Sequence, residues 1–72
     1  MAISYKKLWK LLIDRDMIKK DLVALSGISQ SSITKMGKNE NVNTDVLVRV
    51  CLALNCDIGD IAEILLPERQ KS

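Results

Sequence analysis

Ser29, Gln30, Ser31, Ser32, Thr34 and Lys35 place six hydrogen-bonding side chains within seven consecutive positions. A glutamine amide offers one acceptor and two donors in a plane, a lysine ammonium donates only, and a hydroxyl does both. A planar amide matches the N6/N7 edge of adenine, an ammonium donates to O6/N7 of guanine, and serine bonds to several bases. Within this stretch only Ile33 and Met36 need face a core. A helix that merely covered a core would more often use Glu, Lys and Ala, because Ser and Thr have modest helix propensity. The plain alternative is a solvated helix face.

Other chemistry is poorly served. Without a single His, neither Ser nor Cys can be activated by an imidazole. The carboxylates fall at helix starts, in loops and in the tail, with no paired arrangement, so catalysis is not expected. Cys51 and Cys56 could close a zinc site only with several carboxylates. A disulfide stays open in principle, but Cys51 falls on an apolar helical face, and both are read as reduced thiols acting as small hydrophobes, Cys51 buried and unreactive. No metal and no cofactor are expected.

The polar stretch needs elements to hold it. Ser4 can cap a first helix to about Asp14 or Arg15, where Tyr5, Leu8, Trp9 and Leu12 recur at i, i+3, i+4 and i+7. Trp9 reads as a core anchor. A second helix covers Lys19 to Ser26, with Leu22 and Leu25 inward and Gly27 after it. Ile28 turns in, and Ser29 is a good N-cap for a third helix, Gln30 to about Met36, which Gly37 ends. Residues 37–43 form a polar, Asn-rich loop. Asn43 or Thr44 caps a fourth helix to Leu54, with Leu47, Val50, Cys51 and Leu54 as its stripe, and Asn55 stops it. Asp57 caps a fifth helix, where Ile58, Ile61, Ala62 and Leu65 repeat the pattern. No longer strand pattern appears. The expected fold is all-α, a compact five-helix domain over residues 1–66, with a short tail at 67–72.

At 72 residues the chain makes one domain, burying only about 60% of its unfolded surface and leaving little room for a deep catalytic cleft. A composition 47% hydrophobic and 28% charged is globular. The longest apolar run, Val50–Leu54, is far short of a membrane span, and no signal peptide is read, so a cytoplasmic location is expected. The net charge of +2 divides unevenly: residues 1–38 carry eight Lys/Arg against three acids, and residues 39–72 carry three against six. A basic half suggests a polyanion partner.

Residues 19–36, KKDLVALSGISQSSITKM, resemble the helix-turn-helix of the phage repressor/Cro (XRE-type) family. The similarity continues through VNTDVLVRVCLALNCDIGDI and spans about Tyr5 to Leu65. It implies a repressor-type DNA-binding domain that reads an operator through the major groove with helix 30–36. Ser29, Gln30, Ser31, Thr34 and Lys35 would then contact bases, and Lys19, Lys20, Ser32, Lys38, Asn39 and Asn41 phosphates. Three positions depart from the family pattern: Val23 stands where a small Ala is usual, Lys19 where Gln is common, and Gly37 where many relatives carry an acid.

The resemblance also implies partners. Double-stranded DNA, as a palindromic operator, would be bound by a homodimer that places two recognition helices about 34 Å apart. Ile64 and Leu66, partly off the fifth helix's stripe, are the candidate dimer contact, self-complementary about a two-fold axis. The alternative is a protein-interaction module of the same fold, such as an antitoxin or adaptor.

Overall fold

The computed structural model describes residues 3–66. The expected tail, 67–72, lies outside the described residues. Four α-helices and a short two-stranded sheet make up the fold: β1 (Ile3–Ser4), α1 (Lys6–Asp14), α2 (Lys19–Ser26), α3 (Gln30–Gly37), α4 (Thr44–Leu54), a 3₁₀ turn (Ile58–Asp60) and β2 (Glu63–Ile64). One core joins them, built from Tyr5, Leu8, Leu12, Leu22, Ile28, Ile33, Met36, Val50, Leu54 and Ile61. No helix among the described residues is long and apolar enough to cross a membrane.

The expectation of five helices and an all-α fold needs correction at both ends. Asp57 caps Ile58 at 2.7 Å, and the Asp57 N–H donates to Asp60 at 3.0 Å, as a helix start requires. The helix nevertheless stops after three residues. Of the expected stripe only Ile61 is buried, while Ile58 is exposed. The chain then extends, and β2 pairs antiparallel with β1, Ile64 opposite Ile3 and Glu63 opposite Ser4. Gly59 and the β-branched Ile61 and Ile64 weaken a helix here, and a partner strand supplies the backbone bonds it would have made. Ser4 is consequently a buried strand residue, and α1 starts one residue later than a Ser4 cap implies, at Lys6 with Tyr5 in the cap position, the Lys6 N–H donating to the Ser4 hydroxyl at 3.3 Å.

Each of the four helices ends on a residue with positive φ: Asp16 at 56°, Gly27 at 77°, Asn39 at 58° and Asn55 at 54°. Three of these ends are Schellman motifs, in which two N–H groups beyond the helix satisfy carbonyls of its last turn. Met17 N–H reaches Leu12 at 2.8 Å, Glu40 reaches Lys35 at 2.9 Å, and Cys56 reaches Cys51 at 3.0 Å. Gly37 is therefore not a terminator: it belongs to α3, which Asn39 ends. Leu25, expected inward, is exposed, because the short α2 offers the core little beyond Leu22, with Val23 half-buried beside it.

At the end of α4 the same backbone bond brings Cys51 and Cys56 side by side. Both are free thiols and half-buried, so Cys51 is less enclosed than its stripe implies. Burial, with the neighbouring Asp57 and Asp60 carboxylates adding to it, pushes the Cys51 thiol up from its ordinary pKa, and burial first does the same for Cys56.

Candidate nucleic-acid interface

The polar stretch is set by the turn between α2 and α3. Gly27 takes the left-handed conformation that a Cβ would strain, and its N–H donates to Val23 at 3.0 Å. Ile28 then drops into the core at 6% exposure. The chain re-emerges at Ser29, whose hydroxyl accepts the Ser32 N–H at 3.1 Å and so caps α3. Ile33 and Met36 anchor α3 from beneath. Gln30, Ser31, Thr34 and Lys35 are then left to project.

Gln30, Ser31, Thr34 and Lys35 are all exposed. Neither the Gln30 amide nor the Lys35 ammonium has a hydrogen-bond partner among the described residues. The Thr34 hydroxyl already donates to the Gln30 carbonyl at 2.9 Å, which leaves lone pairs and a methyl group outward. Ser29, Ser31 and Ser32 form a hydroxyl cluster at the helix start, Ser29 lying 3.2 Å from Ser31 and 3.0 Å from Ser32. Ser29 is thus exposed yet occupied as a cap. Orphan N–H groups and the helix dipole make this end of α3 electropositive.

The residues assigned to phosphates divide three ways. Lys19 and Lys20 stand exposed at the start of α2, where Asp21 accepts the Ile18 N–H at 3.0 Å. The Lys19 ammonium lies 4.6 Å above the Trp9 ring. Lys38 and Asn41 are exposed in the following loop. Ser32 is half-buried, with its hydroxyl engaged by Ser29. Asn39 is half-buried too, and its side-chain oxygen accepts the Tyr5 N–H at 3.1 Å. Only the NH₂ side of that amide remains to face a ligand.

Tyr5 makes the companion bond, its phenol donating to the Glu40 carbonyl at 2.9 Å, and burial pushes that phenol's pKa up. Together Tyr5 and Asn39 tie the loop after α3 to the start of α1. No local pattern announces a bond between residues so distant in sequence. Among the first helix's lysines, Lys7 is directed elsewhere, donating to the Gly59 carbonyl at 3.2 Å.

Arg49 is a further cation that motif reasoning passes over. It pairs with Asp45 at 2.9 Å on the exposed side of α4, and its guanidinium comes within 3.7 Å of where a Gly27 Cβ would sit. In sequence it looks like half of an ordinary i, i+4 pair.

Two short helices, a tight glycine turn, and an anchored second helix with its polar face outward define a helix-turn-helix domain. A model of the Cro/C1-type HTH DNA-binding domain matches residues 7–65, and the chain belongs to that family. The chain is also similar to a solved structure, the crystal structure of the transcriptional regulator VanUg (form II), at 58% identity and a TM-score of 0.85. That alignment covers 89% of this chain and 85% of the other. No curated protein matches significantly.

Proposed function

We propose that this protein is a sequence-specific transcriptional regulator, acting as a repressor, that reads a double-stranded operator through the major groove with α3. The observation that carries this reading is the exposed face of Gln30, Ser31, Thr34 and Lys35, its Gln30 amide and Lys35 ammonium without partners among the described residues, on a helix whose other side is locked by Ile33 and Met36. Gln30, Ser31, Thr34 and Lys35 read bases, with Ser29 at the helix cap. Lys19, Lys20, Ser32, Lys38, Asn39 and Asn41 approach the phosphates. The similarity to a transcriptional regulator supports the regulatory role. This reading implies a cytoplasmic location.

The decisive experiment is selection of bound sequences from a random duplex pool, followed by Gln30→Ala on the best site. Loss of roughly 1–3 kcal/mol with relaxed preference at one or two base pairs is expected. Equal weakening on every sequence would remove Gln30 from the readout.

A single small module makes few contacts, so we infer a homodimer on a palindromic site. Ile64, in β2, is 61% exposed and Leu66, just past it, 38% exposed, an apolar pair at the edge of the two-stranded sheet. Those groups supply the self-complementary contact.

A further inference from the structure

We propose that Trp9 and Gly37 are positioning residues for the Lys19 ammonium, holding it ready for a DNA phosphate. The proposal rests on the DNA-binding reading above and assigns it two residues that touch no DNA. Lys19 starts α2, Trp9 lies on α1, and Gly37 is the last residue of α3, so three helices meet at one charge. The ammonium sits 4.6 Å from the Trp9 ring centroid, within reach of its negative face. On another side, a Cβ built on Gly37 would stand 3.4 Å from Lys19 Nζ, at the near limit of ordinary van der Waals contact.

The glycine has no backbone reason to be there. Of the three glycines only Gly27 has positive φ, and Gly37 is helical. Alanine is the better helix former at a helical position. What the missing side chain leaves is open room beside the ammonium, where a methyl group would come into van der Waals contact with it. The lysine stem has four rotatable bonds, and immobilising it on a phosphate loses rotamer freedom. A stem already ordered by Trp9 loses less on binding, which is preorganisation of the charge.

Gly37 and Trp9 should therefore separate stability from affinity. Gly37→Ala should raise the thermal midpoint by a few degrees, or leave it unchanged, while weakening binding to a mixed-sequence DNA duplex roughly two- to five-fold. Trp9→Leu should weaken the same binding by a similar factor, and Trp9→Phe, which keeps a ring face, should restore most of it. In a Lys19→Met background neither substitution should matter further. Trp9 is the sole tryptophan, so its emission should shift on Lys19→Met in the free protein.

Three results would overturn the proposal: undiminished affinity in Gly37→Ala, full additivity of a folded Trp9→Leu or of Gly37→Ala with Lys19→Met, or Trp9 emission indifferent to Lys19→Met. A wild-type protein that binds no duplex at all would instead remove the DNA-binding reading, and this proposal with it. Because Gly37→Ala is expected to fold at least as well as the native chain, a folding failure of Trp9→Leu does not decide the matter.

Discussion

Asn39 shows how one residue can be asked for two things. Its backbone takes the left-handed conformation that ends α3, and its side chain holds the Tyr5 N–H at 3.1 Å. Asp16 and Asn55 take the same backbone conformation, but no side-chain hydrogen bond from either occurs among the described residues. Glycine relieves the Cβ penalty of that region, of about 1–2 kcal/mol and less for Asn or Asp, at some entropic cost. Asp16→Gly and Asn55→Gly should thus stabilise by up to about 1 kcal/mol, whereas Asn39→Gly should destabilise by a similar amount, because a buried N–H loses its partner. Urea denaturation of the three variants checks the sign. The contrast also explains a misreading: a glycine after an apolar stripe looks like a stop, so Gly37 draws the eye, while the bond that makes Asn39 the real stop joins distant residues.

At the scale of elements, legibility follows contact range. The α2–turn–α3 unit is readable because Leu22, Gly27, Ile28, Ser29 and Ile33 each act through near neighbours, and the structure has Leu22, Ile28 and Ile33 in the core, Gly27 in the turn and Ser29 as the cap. The fifth helix is not readable, since Ile58, Ile61, Ala62 and Leu65 satisfy a helical period while the segment answers to a strand at the opposite end of the chain. The candidate base contacts gain an exposed face from α3, whereas Asn39 and Ser32 acquire structural bonds that composition does not announce. The strand also changes the setting of the proposed dimer contact: Ile64 sits on a sheet edge, not on a helix. An Ile64→Asp, Leu66→Asp double variant should remain folded by circular dichroism yet run as a monomer in light scattering. A folded variant that still dimerises would move the interface elsewhere.

At the scale of the molecule, the groups among the described residues whose pKa departs from its ordinary value share one direction. Tyr5, Cys51 and Cys56 all have raised pKa values, each chiefly because burial disfavours the anion. A group whose folded pKa exceeds its unfolded value supports the fold fully below the unfolded pKa and loses that support as pH rises through the folded one. The thiols start from 9.0 and the phenol from 10.0, so stability should hold at neutral pH and fall as pH climbs past about 9. Thermal midpoints across alkaline buffers should show this decline, and a Cys51→Ala, Cys56→Ala variant should show it displaced to higher pH. The uneven charge has a counterpart at this scale: the basic half carries α1, α2 and α3, and the acidic half carries α4 and the sheet's return strand.

That return strand bears on how the protein is made. Synthesis runs from the N-terminal side, so the residues of α2 and α3 are made before residue 64. Ile3 and Ser4, by contrast, must wait for Glu63 and Ile64, with their backbone groups open to solvent or to another chain meanwhile. The entropy of closing so long a loop grows only slowly with its length, and the packed helices bring the ends together. Two eight-residue helices are too short to persist alone, and α2 packs chiefly on α4, so the α2–turn–α3 unit becomes firm only when α4 joins the core, and the sheet closes after it.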